Sequence, residues 1–237
     1  MKQTKQVIGI LGGMGPQASA HLVDLLIDAS IKNGVKNDSD FPEIILDSVP
    51  VSNFISDSKN LNQALKILKR RVKLLNNMNV SKLAIACNTA HILLEDLQSV
   101  SRVPFVSIIE EVVNVVRDKK IKKVGLLATP STIRFGLFEN ALNKFNIKVV
   151  LPTSKERKIC EGIIRNVIAG KKSKLDTLQI KLIANSLRKL GAQGIILGCT
   201  ELPLIFPKKF SIPVFDSLDI LAKALLRKHP GGNTIRV

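Results

Sequence analysis

Short apolar runs bounded by turn residues alternate along the chain with longer segments of helical periodicity. A short, continuous apolar run is typical of a strand that is buried on both faces of a sheet. On this criterion the sequence predicts strands at residues 7–11, 44–46, 83–86, 124–128, 149–151 and 195–197.

The segments between these strands carry apolar residues at helical spacing. In the clearest example, steps of four and three residues place one set of side chains on a single helix face, namely Leu61, Leu65, Leu68, Val72 and Leu75. Similar patterns predict helices near residues 18–31, 108–116, 132–145, 158–169, 175–190 and 217–226. Because strands that alternate with helices form parallel sheets covered on both faces, the sequence predicts an α/β fold.

The two halves of the sequence repeat one arrangement, in which a short apolar strand runs into a cysteine and polar residues. These residues are Cys87, Asn88 and Thr89 in the first half, and Cys199, Thr200 and Glu201 in the second. Open parallel sheets bind ligands at the carboxyl ends of their strands. We therefore expect two similar α/β halves that face each other and bring both cysteines to one shared cleft.

A cysteine at such a position is suited to proton transfer. Backbone amides and a helix start follow each thiol, and this setting is expected to lower a thiol pKa from its usual value of about 8.5. Taken singly, each cysteine would be interpreted as a small buried hydrophobic residue. The matched contexts favour a catalytic pair instead. Cys160 differs, because it shares the apolar face of a predicted helix and is expected in the core, with Ile163, Ile164 and Val167.

Polar residues beside the two thiols suit proton abstraction from an amino acid. Removal of the α-proton leaves a carbanion conjugated with the carboxylate, so the site needs hydrogen-bond donors directed at the carboxylate oxygens. Such donors are available on Asn88, Thr89 and Thr200. His91 and Glu201 are candidates to tune or protonate the neighbouring thiols, although an isolated histidine is more often structural.

Two strand-to-helix turns carry further candidates for ligand binding. The turn at residues 12–16 reads Gly-Gly-Met-Gly-Pro and lacks the spacing of the nucleotide-binding motifs, so a nucleotide site is poorly supported. Met14 and Gly15 in this turn either approach a bound anion closely or form a tight structural turn. At the matching place in the second half, Ser131 and Thr132 are either helix caps or carboxylate ligands.

Length and composition indicate a folded globular protein. The chain has 237 residues, 45% of them hydrophobic and 23% charged, which is enough for one or two domains. No apolar run reaches the roughly 18 residues that a membrane span requires, so we expect no membrane association and a cytoplasmic location. Three cysteines without a CxxC spacing argue against a disulfide framework and a zinc ribbon, which predicts free thiols and no metal.

The charge balance is strongly basic, since 36 Lys and Arg residues face 19 Asp and Glu residues and give a net charge of +17. Such an excess attracts anions. The basic residues are scattered over many segments and are not interleaved with aromatic residues, so nucleic-acid binding is not expected. We expect solvated basic faces that attract small anions, with a polyanion site as the alternative.

Three motifs resemble the signature motifs of the aspartate/glutamate racemase family. They are Gly12-Gly13-Met14-Gly15-Pro16, Cys87-Asn88-Thr89-Ala90-His91 and Gly198-Cys199-Thr200-Glu201. The similarity extends over nearly the whole chain, including residues 126–129 and 214–216. The resemblance implies a pseudo-symmetric two-domain α/β fold and a homodimer, with neither pyridoxal phosphate nor a metal.

The resemblance also implies a domain division and a mechanism. The first domain would comprise residues 1–103 and 213–237 and carry Cys87, and the second would comprise residues 104–212 and carry Cys199. One cysteine would act as a thiolate base while the other acts as a thiol acid on the opposite face of the substrate. The residues that the family places at the α-carboxylate or amino group of the substrate are Asn88, Thr89, Thr132 and Thr200.

Two departures from aspartate-selective members leave the preferred substrate open. Many archaeal-type aspartate racemases carry a Pro-Asp-Arg-Thr stretch whose arginine holds the side-chain carboxylate, but residues 51–55 lack arginine and include Phe54. A lysine that precedes an Ala-Gly pair in those enzymes is Ile168 in this chain, which leaves Lys171 as the candidate substitute. Dual aspartate/glutamate and broader-specificity racemases also lack the arginine stretch.

The leading hypothesis is therefore cofactor-independent racemisation of an amino acid, with aspartate and glutamate as the first candidates. A racemase of broader or non-acidic specificity is one alternative. The other is a basic anion-binding or nucleic-acid-binding protein that keeps the fold without turnover.

Overall fold

A computed structural model of the chain describes residues 6–51 and 60–227. The strands of the first sheet are β1 (Val7–Gly12), β2 (Glu43–Ser48), β3 (Lys82–Ile85) and β4 (Phe105–Val106). Those of the second sheet are β5 (Lys123–Ala128), β6 (Lys148–Val150), β7 (Ile195–Gly198) and β8 (Val214–Asp216). Both sheets are parallel and share one pattern of strand order, β2-β1-β3-β4 and β6-β5-β7-β8. This confirms the α/β fold with two similar parallel sheets.

Helices follow most of the strands. In the first half they are α1 (Pro16–Lys32), α2 (Leu61–Asn76) and α3 (Leu94–Gln98). In the second half they are α5 (Pro130–Arg134), α6 (Leu137–Asn143), α7 (Ser154–Ile168) and α8 (Lys174–Lys189). The helices that follow the last strand of each sheet are α4 (Ile108–Asp118) and α9 (Ser217–Leu226). Within the described ranges, no helix is long and apolar enough to cross a membrane.

The helices α4 and α9 tie the two halves together. Although α4 follows the first sheet, it packs against α6 of the second half, and α9 follows the second sheet but packs against α1 of the first. The two helices also pack against each other. One continuous buried core therefore contains residues of both halves, among them Leu22, Val112, Phe138 and Leu221. Removal of this apolar surface from water holds the two sheets in a fixed arrangement.

Two short strands pair across the division between halves that the sequence predicts. Phe105–Val106 pairs with β3 of the first sheet, whereas the sequence predicts a second domain from residue 104. Val214–Asp216 pairs with β7 of the second sheet, whereas the sequence assigns residues from 213 onward to the first domain. Both strands are too short for the hydrophobic pattern to reveal, because pairing with the neighbouring strand defines them. The crossing between halves is made by α4 and α9.

The helix predicted at residues 132–145 is corrected, because it consists of α5 and α6. Gly136 separates them with a φ of +60°, a left-handed conformation that favours glycine. Apolar periodicity continues through the break, since Phe138 and Leu142 remain fully buried. The pattern of apolar residues therefore predicted the buried face correctly and did not reveal the turn.

Candidate active site

Cys87 lies two residues beyond the end of β3, at the carboxyl edge of the first sheet, and is 8% exposed. Burial is the main cause that raises the pKa of its thiol to about 12, and the negative charge of Glu201 adds to it. Hydrogen bonds from the backbone amides of Ala90 and Thr89 and from the Thr89 hydroxyl lower this pKa, because they stabilise the thiolate. The first thiol is thus buried but surrounded by donors.

Cys199 directly follows β7 at the carboxyl edge of the second sheet and is 5% exposed. Its Sγ donates a hydrogen bond of 3.0 Å to Oε2 of Glu201. Burial raises the pKa of this thiol well above its usual value, and the charge of Glu201 and the hydrogen bond to it act in the same direction. The second thiol is therefore held in its neutral, proton-donating form.

The two thiols influence each other across the halves. A charge on Cys87 raises the pKa of Cys199, and the charge of Glu201 raises the pKa of Cys87. Such effects require the groups to lie within electrostatic reach of one another. The two halves therefore bring Cys87 and Cys199 to one site, whereas Cys160 lies in the core beside Val167 and Ile180, as the sequence predicts.

The lowered thiol pKa values expected from the sequence are wrong for this structure. The amides that follow Cys87 do lower its pKa, but burial and the charge of Glu201 outweigh them. Around Cys199 the hydrogen bond to Glu201 favours the protonated form. A thiolate in this site therefore needs a nearby positive charge in order to form near neutral pH.

His91 is fixed by backbone groups. Its Nδ1 donates to the carbonyl of Cys87 at 2.9 Å, and its Nε2 accepts from the amide of Ile108 at 3.1 Å. A carbonyl can only accept and an amide can only donate, so the ring is neutral with its proton on Nδ1. Burial lowers the pKa of His91 to about 4. Both nitrogens are occupied in this arrangement, so the ring positions the Cys87 loop and contacts neither thiol through a hydrogen bond.

Three threonine hydroxyls form a cluster that joins the two halves. Thr89 from the first half lies 2.9 Å from the hydroxyl of Thr129 and 3.0 Å from that of Thr132, both from the second half. Thr129 also donates to Thr132 at 2.9 Å and accepts from its amide as the cap of α5. The cluster therefore holds two of the predicted ligand residues, Thr89 and Thr132, next to each other.

The glycine turn that follows β1 lies against the second half. Gly15 has a φ of +56°, and a Cβ at this position would collide with Oε1 of Glu201, so both conformation and space require glycine. The amide of Gly13 donates to the hydroxyl of Ser19, which leaves it unavailable to an anion. Met14 is half-buried and packs against the core cluster that contains Cys87.

The remaining predicted site residues lie in different settings. Thr200 is buried, and its hydroxyl donates to Oε2 of Glu201 at 3.1 Å. Ser131 is buried on the first turn of α5. Lys171 is exposed on the loop after α7, and the neighbouring Gly170 lies close to Gln17 at the start of α1. Phe54 lies outside the described residues.

Sequence reasoning missed two residues that the structure brings to the site. Thr129 belongs to the threonine cluster, and a hydroxyl before a predicted helix is a signal that points to such a cap. Ser217, the first residue of α9, accepts a hydrogen bond of 3.0 Å from Nδ2 of Asn88 and donates one of 2.9 Å to the carbonyl of Leu197. No local sequence signal connects Ser217 to Asn88, because they lie 129 positions apart.

Known proteins resemble this chain over almost its whole length. It is 28% identical over 230 residues to the broad specificity amino-acid racemase RacX of Bacillus subtilis, which covers 94% of this chain and 98% of RacX. The structure of an aspartate racemase homologue from Pyrococcus horikoshii is 31% identical, with a TM-score of 0.79, over 94% of this chain and 97% of that one. Picrophilus torridus aspartate racemase is 28% identical with the same TM-score, over 93% and 92% of the two chains.

A family model supports the same assignment. The model for Asp/Glu/hydantoin racemases matches residues 11–225, which include both cysteines and seven complete strands, together with the end of β1. The chain therefore belongs to the Asp/Glu/hydantoin racemase family and, within it, to the cofactor-independent amino-acid racemases, which are isomerases.

Proposed function

We propose that the protein inverts the α-carbon of an amino acid by a two-base mechanism that uses Cys87 and Cys199. The observation that carries this proposal is the pairing of two buried thiols at the carboxyl ends of corresponding strands, within electrostatic reach of each other. In one direction the Cys87 thiolate removes the α-proton and becomes a thiol. The Cys199 thiol then gives its proton to the opposite face of the carbanion and becomes the thiolate.

The surroundings of the thiols suit these two steps. The amides of Thr89 and Ala90 stabilise a thiolate at Cys87, and Glu201 holds the proton on Cys199. The hydroxyls of Thr89 and Thr132 would exchange their hydrogen bonds within the threonine cluster for bonds to the carboxylate, where negative charge develops in the carbanion. The substrate itself carries the positive ammonium group that favours formation of a thiolate in a buried site.

Aspartate and glutamate are the first candidates for the substrate. The family supports them, and the exposed Lys171, which follows Gly170 near the start of α1, offers a cation for a side-chain carboxylate. Broader specificity is the second candidate, because RacX is a broad specificity amino-acid racemase and this chain matches 98% of its length. The arginine that many archaeal-type aspartate racemases carry is also missing from residues 51–55.

The test measures loss of optical activity and incorporation of solvent deuterium at the α-carbon for a panel of L-amino acids. We expect Cys87→Ala and Cys199→Ala each to lower racemisation by about 10³-fold or more, because each removes one acid/base group. Cys160→Ala serves as the control, since it removes a buried thiol outside the site and should leave the turnover of the folded protein intact. Racemisation of no amino acid, or full activity in either active-site variant, would refute the proposal.

A further inference from the structure

The side-chain amide of Asn88 has one polar atom without a protein partner. Asn88 directly follows Cys87, is 1% exposed, and donates through Nδ2 to the hydroxyl of Ser217. Its Oδ1 is buried and accepts a hydrogen bond from none of the described residues. A buried acceptor without a donor is unfavourable, so this oxygen is suited to a donor that arrives with a ligand.

Ser217 determines which end of the amide stays free. Its hydroxyl has a single hydrogen, which it donates to the carbonyl of Leu197, and a carbonyl can only accept. The Ser217 oxygen can therefore only accept from Asn88, which requires the NH₂ group of the amide on that side. The opposite end of the Asn88 amide must then be the carbonyl oxygen.

Glu201 supplies a second unpaired acceptor beside the other thiol. Its Oε2 accepts from Cys199 and Thr200, whereas its Oε1 is buried and has no donor among the described residues. Oε1 lies against Gly15, on the turn at the carboxyl end of β1. Each thiol is therefore accompanied by one buried acceptor that lacks a donor.

We propose that Ser217 is a positioning residue that keeps the carbonyl oxygen of Asn88 turned toward the substrate, and that this oxygen and Oε1 of Glu201 accept hydrogen bonds from the substrate α-ammonium. The inference rests on the proposed function and deepens it. An ammonium group has three donors and no acceptor, which matches two unpaired acceptors. The assignment leaves the donors, the hydroxyls of Thr89 and Thr132, for the α-carboxylate.

This arrangement also explains how the site ionises. The charge of Glu201 raises the pKa of both thiols. An ammonium beside Oε1 offsets that charge and favours a thiolate, so the group that binds the substrate also activates the base. The thiol would then lose its proton only when an amino acid occupies the site.

The experiment compares ligands that differ only in the ammonium group. Dissociation constants are measured by calorimetry for racemic aspartate and succinate, racemic glutamate and glutarate, and racemic alanine and propionate, at one ionic strength. Racemic amino acids avoid heat from net turnover. We expect the wild-type protein to bind at least one amino acid more tightly than its partner without nitrogen.

Ser217→Ala should weaken binding of the amino acid about tenfold and binding of the matching nitrogen-free acid less than about twofold. The reason is that only the ammonium contact depends on the orientation of Asn88. Ser30→Ala is the matched control, since Ser30 is also buried and its hydroxyl donates to a backbone carbonyl, that of Leu26, but bonds to no asparagine side chain among the described residues. This control should leave both constants unchanged. Thermal unfolding of each variant shows that it is folded.

Asn88→Asp provides a test that distinguishes the two orientations of the Asn88 amide. If an oxygen faces the ammonium, this variant keeps amino-acid binding within about threefold and weakens the nitrogen-free acid through repulsion between like charges. If the NH₂ group faces a carboxylate, this variant strongly weakens binding of both ligands. The second result would overturn the assignment.

Equal weakening of both ligands by Ser217→Ala, or no change in either, would likewise overturn it. The assignment would also be overturned if the wild-type protein bound none of the three amino acids more tightly than the matching nitrogen-free acid. Failure of the proposed function appears separately, as absence of deuterium incorporation by the wild-type protein, because the ratio of dissociation constants does not depend on turnover.

Discussion

Cys87 and Cys199 follow corresponding strands of two similar sheets, yet their hydrogen-bond partners differ. Donors surround Cys87, where two backbone amides and the Thr89 hydroxyl stabilise a negative sulfur. Cys199 instead donates to the carboxylate of Glu201, which stabilises the neutral thiol. The difference comes from the residue two positions after each cysteine, which is Thr89 in one half and Glu201 in the other.

This comparison shows how a repeated fold can supply two different chemical groups from one residue type. In the protein without substrate, we expect Cys87 to ionise before Cys199. The halves also fix their cysteine loops differently, since the first uses the neutral ring of His91 and the second uses Glu201. Each difference can be removed by one substitution.

The largest expected effect concerns the ring that fixes the first loop. The pKa of His91 is lowered to about 4 in the fold from 6.5, so acid favours the unfolded state, which binds the proton more readily. This contribution to stability is present above pH 6.5 and is lost as the pH falls toward 4. We expect wild-type protein to lose about 2 kcal/mol more than His91→Gln between pH 7 and 5.

Urea unfolding at the two pH values measures this difference. Thr177→Val on α8 changes no titratable group, so it serves as the control and should keep the acid dependence of the wild type. If the free energy of unfolding had the same pH dependence in His91→Gln and the wild type, the assignment of His91 as a buried, neutral residue that positions the Cys87 loop would be contradicted.

An intermediate effect is expected when the charge beside Cys199 is removed. Glu201→Gln keeps an acceptor but eliminates the negative charge that raises the pKa of both thiols. We expect the rate of alkylation by iodoacetamide at pH 8 to rise about tenfold at Cys199, and less at Cys87, because more thiolate is present. Mass spectrometry of the modified peptides gives the rate at each cysteine.

Two internal controls accompany this measurement. The rate at Cys160 should not change, since its pKa is raised by burial and by Glu161, both outside the site. Glu43→Gln, an exposed position at the start of β2, should change none of the three rates. An equal increase in the alkylation rates of Cys87 and Cys199 would contradict the proposed difference between the two thiols.

The smallest expected effect tests the contact between the halves. Thr89 and Thr129 share a hydrogen bond across them, so Thr89→Val and Thr129→Val should each destabilise the protein and should be coupled by about 1 kcal/mol. Urea unfolding of the two single variants and the double variant measures the coupling. Thr177→Val, on the exposed face of α8, is the control and should show additive effects with Thr89→Val. Additivity within the Thr89 and Thr129 pair would indicate that the cluster does not join the halves energetically.

Much of the fold and the identity of the two thiols follow from local patterns. The apolar runs at residues 7–11 and 195–197 predict strands because both faces of a parallel sheet exclude water. The matching contexts of Cys87 and Cys199 mark them as a pair, and the helical face around Cys160 separates it from them. Each inference needs only residues within a few positions of one another.

Partners that are distant in the sequence decided the rest. The strands β4 and β8 exist because neighbouring strands pair with them, and their few residues carry no periodic signal. His91 is neutral because the amide of Ile108 occupies its second nitrogen. The orientation of Asn88 depends on Ser217 and Leu197, which the chain brings near only after the second sheet has formed.

The sequence by itself determined the fold class, the two cysteines and the acids and hydroxyls beside them, because strand periodicity and residue chemistry are local properties. The tertiary structure alone decided the protonation tendencies of those groups. A thiol pKa depends on burial and on charges from every element around it, and burial outweighed the local amides at Cys87. The sequence therefore indicated which groups meet in the site, and packing decided that both thiols are buried and that Cys199 directs its proton toward Glu201.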